Sequence, residues 1–115
     1  MSKVLRLAIS PCPNDTFMFE AMINHRIDTE GLQFEVDYLD IEQLNSAALE
    51  SKYDVSKCST ALLPAIYANY RLLDSGSALG RGNGPLLVRR RGFDGAMRDI
   101  VVPGLHTTAN LLTER

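Results

Sequence analysis

The sequence predicts an α/β fold with a mostly parallel sheet. Val4 to Ile9 is a nearly continuous apolar run, broken only by Arg6, which suits a strand covered on both faces. Leu32, Phe34, Val36 and Tyr38 alternate with Gln33, Glu35 and Asp37, the period-two pattern of a strand with one buried face. Stretches of helical length separate these runs, so the order reads β-α-β-α-β-α as far as Tyr70. That alternation favours crossover connections and parallel pairing.

Taken in order, the first strand ends at Ser10-Pro11-Cys12-Pro13-Asn14-Asp15, where two prolines remove two backbone donors. Asn14 or Asp15 is expected to cap a helix with Phe17, Met18, Ala21 and Met22 on one face. His25 and Arg26 fall near its end, where positive charge suits the helix dipole. After the second strand, Asp40 and Gln43 have the spacing of a capping box, and Ile41, Leu44 and Ala48 share a helical face. Tyr53 to Cys58 is a third short strand. Ser59 or Thr60 is placed to cap a helix through Ile66 to Tyr70, with Pro64 disturbing its first turns. Leu72 to Leu79, Pro85 to Arg90 and Asp99 to Val102 are further strand candidates, and Gly104 to Thr108 leads into a last helix.

Composition narrows the function classes. Hydrophobic residues make up 45% and charged residues 23% of 115, with a formal charge of −2. Nothing in that balance points to nucleic acid or an anionic membrane. No apolar run approaches the ~20 residues that span a bilayer. Met1 to Ile9 lacks the long apolar region and small-residue cleavage site of a secretion signal, so a cytoplasmic location is expected. Cys12 and Cys58 make no disulfide framework, but both follow strands that are expected to be neighbours, which would bring their sulfurs close. A metal site is not expected, since neither His has ligand spacing to them.

In open parallel sheets, ligands bind beyond the carboxyl ends of the strands. Three segments should gather at one rim there: Ser10 to Asp15, Lys57 to Thr60 and Gly104 to Ala109. Each offers polar side chains and the free N–H groups of a helix start, suited to a carboxylate or phosphate. Ser10, Asn14, Asp15 and Thr107 are therefore candidate cleft residues; singly, Asn14, Asp15, Ser59 and Thr107 read first as helix caps, and it is the convergence of three such ends that favours a site. Lys57 either points outward or pairs with an acidic ligand. His106 is either an acid–base group or a loop histidine that positions backbone. Gly80-Arg81-Gly82-Asn83-Gly84 lacks the following helix of a dinucleotide loop, and Arg89-Arg90-Arg91 reads as a solvated run.

The string Ser10-Pro11-Cys12-Pro13-Asn14-Asp15-Thr16-Phe17 closely resembles the amino-terminal motif of the 1,4-dihydroxy-6-naphthoate synthase family of menaquinone biosynthesis. The resemblance continues, in family order, through Asp54 to Ser59, Ser75 to Gly82, Gly84-Pro85-Leu86 and Pro103 to Ala109. It implies a periplasmic-binding-protein-like (type II) fold, two α/β lobes with the ligand between them. Residues 1–99 would form the first lobe and residues 100–115 the crossover and beginning of a second lobe that is largely missing. The implied activity is a lyase-type conversion of cyclic dehypoxanthinyl futalosine to 1,4-dihydroxy-6-naphthoate in the futalosine pathway, with no cofactor and no metal.

By the same resemblance, Lys57, Cys58, Ser59, Thr108 and Ala109 contact an acidic aromatic small-molecule substrate. Cys58 stands where the family carries an aliphatic residue, a change that matters little if the contact there is through backbone. The family's proton acceptor is a second-lobe histidine with no counterpart motif here. No catalytic residue is therefore assigned, and the chain is expected to be an incomplete, inactive fragment. Its exposed cleft face would suit a homodimer; nucleic-acid and membrane partners are not expected. A chorismate dehydratase of the same pathway and a non-catalytic solute-binding protein share the fold. The Ser10 to Phe17 string favours the naphthoate synthase.

Overall fold

Arg6 is the one charge in an otherwise apolar opening run, and the sheet explains how it is accommodated. The computed structural model describes residues 3–114. Met1 and Ser2, from the Met1 to Ile9 stretch, and Arg115, the last residue of the expected second unit, lie outside the described residues. Strand β1 (Lys3–Ile9) runs parallel to β2 (Leu32–Tyr38) and β3 (Val55–Ser56), in the order β2-β1-β3. Leu7, Ala8 and Ile9 are fully buried. Consecutive strand side chains point to opposite faces, so three buried in a row mean that both faces are covered. Nearer its start β1 is more open, and Arg6 turns outward there. Its guanidinium lies 4.8 Å from the Tyr53 ring centroid, donates to the Lys52 carbonyl at 3.1 Å and stands 3.9 Å from Asp37. Stacking on an aromatic face lets the cation stay in water while its stem lies along the sheet.

The period-two strand takes the expected form. β2 pairs with β1 from Lys3 opposite Leu32 to Ile9 opposite Tyr38. Leu32, Phe34 and Val36 are half-buried, whereas Gln33, Glu35 and Asp37 are exposed. Tyr38, the last residue of this edge strand, is also exposed. The third strand is shorter than the Tyr53 to Cys58 span expected of it: only Val55 and Ser56 form the ladder, opposite Leu7 and Ala8.

Helix α1 (Pro13–Ile23) is capped by Cys12, not by Asn14 or Asp15, and without a side-chain cap bond. Pro13 explains the earlier start. Its fixed φ suits the first helical position, where its missing N–H needs no acceptor. The expected buried face fails at Phe17, which is 87% exposed, while Met18, Ala21 and Met22 are half-buried. At the far end, Arg26 N–H donates to the Ala21 carbonyl and His25 N–H to that of Met22, with His25 at φ 54°. This is a Schellman closure, so His25 ends the helix through its backbone rather than through charge.

Helix α2 (Ile41–Leu49) carries the capping box read from the sequence: Gln43 N–H donates to Asp40 Oδ1 at 2.8 Å, and Asp40 N–H to Gln43 Oε1 at 3.0 Å. Leu44, Ala47 and Ala48 are buried. The helix expected to run through Tyr70 is broken into a 3₁₀ turn (Thr60–Leu62) and a short α3 (Leu63–Ile66). Pro64 can sit only at a helix start, which forces this division. Leu62 and Ile66 pack on Ala48, with Cys58, Leu63 and Tyr70 against them.

Leu72 to Leu79, Pro85 to Arg90 and Asp99 to Val102 form no strand. A strand needs a neighbour for its N–H and C=O groups. Among the described residues, the backbone–backbone bond found across 71–102 is that from Phe93 N–H to the Arg90 carbonyl. The chain regains order in α4 (Thr108–Thr113), which packs on the 3₁₀ turn. The extended stretch makes the molecule long: its radius of gyration is 16.9 Å, against about 13 Å for a compact domain of this size.

Candidate functional site

The central position of β1 brings distant segments together. Its end at Ile9 leads into Ser10 to Asp15, and parallel pairing puts the end of β3, and so Lys57 to Thr60, beside it. Asp15 lies in the first turn of α1, where a carboxylate is favoured by the helix dipole. It is 6% exposed and accepts from Ser10 N–H at 2.9 Å. Lys57 Nζ stands 3.9 Å from the same carboxylate and donates to the Gly76 carbonyl at 2.6 Å. Gly76 has φ +86°, a conformation that favours glycine and turns its carbonyl to the lysine. Lys57 thus already has two partners in the protein, which sequence reasoning did not anticipate.

Ser59 occupies the cap position of the 3₁₀ turn but makes no side-chain cap bond. Instead Asn45 grips it: Ser59 N–H donates to Asn45 Oδ1 and Asn45 Nδ2 donates to Ser59 Oγ, both at 2.9 Å. Asn45 is fully buried. A buried amide is costly unless its groups are paired, and here both ends are satisfied by one residue. Two residues further on, Ala61 N–H donates to Thr108 Oγ1 at 3.2 Å, which joins the 57–61 strip to the last segment. Thr107 is the expected cap of α4: its Oγ1 accepts from Asn110 N–H at 3.2 Å and donates to the Gly104 carbonyl at 2.7 Å. Thr108 and Ala109 begin α4, where the first N–H groups have no intrahelical acceptor.

The segments 10–15, 57–61 and 104–109 therefore form one connected strip, with the Lys57 strip in the middle. Asn14 is exposed and lines an open cleft of about 420 Å³ with Pro13, Phe17, Met18, Ser77 and Ala78. Phe17, the exposed member of the α1 face, lies on that cleft. A smaller hollow of about 190 Å³ runs between the 3₁₀ turn and α4, past His106 and Thr107.

Cys12 and Cys58 are free thiols, not a pair. Cys12 is exposed, whereas Cys58 packs against the cluster of Ala48, Leu62 and Ile66. Burial pushes the Cys58 thiol up, opposed in part by the charge of Lys57. A thiol raised by burial and packed against the core is a poor nucleophile. His106 is paired through its ring: its Nδ1 lies 2.8 Å from Glu42 Oε1. Among the described residues no cluster of His, Cys, Asp and Glu has the make-up of a metal site, and no helix is long and apolar enough to cross a membrane.

The family model for menaquinone biosynthesis matches residues 5–114, which takes in every segment of the strip. The chain belongs to the menaquinone-biosynthesis family. Within it, the chain is 42% identical over 113 residues to the 1,4-dihydroxy-6-naphthoate synthase of Thermus thermophilus, covering 96% of this chain and 40% of that protein. It is also 42% identical over 109 residues to the enzyme of the same name from Streptomyces coelicolor, covering 94% of this chain and 38% of that protein. This menaquinone-biosynthesis chain thus spans about two fifths of the length of the curated relatives it matches. The resemblance read from Ser10 to Phe17 and the later motifs is borne out by both relatives.

Sequence reasoning missed Asn45 and Glu42. The first was legible: Asn45 follows Ile41 by four residues on the apolar face of α2, and a polar residue there needs a buried partner. Glu42 carried no such signal, since its partner is 64 residues away.

Proposed function

We propose that these residues form the substrate-binding rim of a 1,4-dihydroxy-6-naphthoate synthase, which converts cyclic dehypoxanthinyl futalosine to 1,4-dihydroxy-6-naphthoate in a lyase-type step. The observation that carries the reading is the 42% identity to two proteins of that name across a range that includes the whole strip. A periplasmic-binding-protein-like (type II) fold is part of the proposal, with the parallel sheet β2-β1-β3 as the first lobe. The apolar side chains Leu86, Leu87, Val88 and Val101, all more than 60% exposed, would pack against the part of the relatives' length that lies outside this match.

The chemistry suits the strip. The substrate's carboxylate is served by the N–H groups of Cys58, Thr108 and Ala109, with Ser59 and Thr107 held rigid behind them by Asn45 and Gly104. Lys57, balanced by Asp15, supplies positive charge without leaving a bare cation in the unliganded rim. Removal of a proton next to a carbonyl needs a free base. That base is assigned to the second-lobe histidine that the family resemblance implies, and Lys57 to Ser59 and Thr107 to Ala109 are assigned to binding.

Titration of the 115-residue chain with 1,4-dihydroxy-6-naphthoate, followed by amide NMR, tests the rim. Shifts centred on Lys57 to Ser59 and Thr107 to Ala109 are expected; shifts confined to other regions reject it. The same chain incubated with the cyclic substrate should give no turnover, and turnover at the rate of the full-length relatives would refute the division of labour. Dehydration of chorismate would favour the sister enzyme instead.

A further inference from the structure

We infer that Glu42 is a positioning residue: its carboxylate holds the Gly104–Thr107 turn, and so sets where Thr107, Thr108 and Ala109 stand against the Lys57–Ser59 strip. The binding half of this inference rests on the function proposed above; the clamp itself rests on geometry alone.

The carboxylate of Glu42 meets His106 twice. Oε1 lies 2.8 Å from the ring Nδ1, and Oε2 accepts from the backbone N–H at the long distance of 3.5 Å. An ionised carboxylate only accepts, so Nδ1 is assigned as the donor in this pair. The approach is made possible by Gly104. A Cβ at that position would fall on the Glu42 side chain, 2.9 Å from its Cβ and closer still to its carboxylate. Glycine is required here for space rather than for backbone freedom.

The turn that Glu42 grips is rigid within itself. Thr107 N–H and Oγ1 both donate to the Gly104 carbonyl, and Asn110 Nδ2 donates to the Leu105 carbonyl. Holding it at His106 therefore orients the whole start of α4. A second tie, from Ala61 N–H to Thr108 Oγ1, meets it from the other side. Glu42 and Asn45 are three residues apart on α2, hence on neighbouring turns of one face. Asn45 anchors Ser59 and Glu42 anchors the 104–107 turn, so α2 is the common mount that sets the spacing between the two halves of the rim.

Three variants of the 115-residue chain test this. Glu42→Gln keeps an oxygen that can accept from His106, Glu42→Ala removes it, and Gly104→Ala pushes the carboxylate away. Without ligand, hydrogen exchange of the Asn110 and Leu111 amides, both bonded to Thr107, should quicken about tenfold in Glu42→Ala and Gly104→Ala, and stay within about twofold of wild type in Glu42→Gln. With 1,4-dihydroxy-6-naphthoate as the probe, Kd should rise about tenfold in the first two and little in the third. Unchanged exchange in both Glu42→Ala and Gly104→Ala overturns the clamp, as does an equal loss in Glu42→Gln. Should Glu42→Ala fail to fold, Gly104→Ala compared with Glu42→Gln decides it. If the wild-type chain binds no naphthoate, the proposed function falls and the exchange data alone judge the clamp.

Discussion

Residues 3–70 and residues 71–102 are both rich in Leu, Val and Ile, yet they behave differently. In the first, apolar side chains recur with the periods of a strand or a helix, and Leu7, Ile9, Leu44 and Leu62 are buried. In the second, Gly76, Gly80, Gly82, Gly84, Gly92 and Gly95 interrupt the pattern, and Leu79, Leu86 and Val88 are each more than three quarters exposed. Apolar content does not bury a segment. A periodic face and a partner for its backbone do.

The sharpest way to break this contrast is limited trypsin digestion. Cleavage after Arg81 and Arg89 to Arg91 should outrun cleavage after Arg6, in β1, about a hundredfold, because opening the sheet requires wider unfolding. Comparable rates would mean that 71–102 is as well held as the sheet. In urea denaturation, Leu7→Ala should cost about 3 kcal/mol, the usual loss for a fully buried leucine. Asn45→Ala should cost about 2 kcal/mol, since it leaves Ser59 N–H and Oγ without partners in a buried place. Leu86→Ala sets the other limit, a change of less than about 0.5 kcal/mol. A loss there approaching that of Leu7→Ala would show that the extended segment contributes to the core.

The same contrast explains what could be read in advance. Strands β1 and β2, the capping box at Asp40 and the cap at Thr107 depend on residues within a few positions of one another, so their patterns were visible. Pro85 to Arg90 and Asp99 to Val102 have strand-like sequences too, but no neighbour supplies a ladder. α1 illustrates a finer failure: Asn14 and Asp15 are good caps by type, and Pro13 took precedence because it fits only the helix start. The two cysteines differ in surroundings, since Cys58 packs against the core while Cys12 stays exposed.

For the site, the residue strings at 10–17, 57–59 and 103–109 were enough to indicate the family and to single out the segments that adjoin. By itself the sequence determined the α/β order, the parallel sheet and those motifs, because each is written in local period or local composition. Tertiary structure alone decided that Lys57 is shared by Asp15 and Gly76, that Asn45 holds Ser59, and that His106 belongs to Glu42. Those pairings join residues far apart in the chain, and only folding brings their hydrogen-bonding groups within reach.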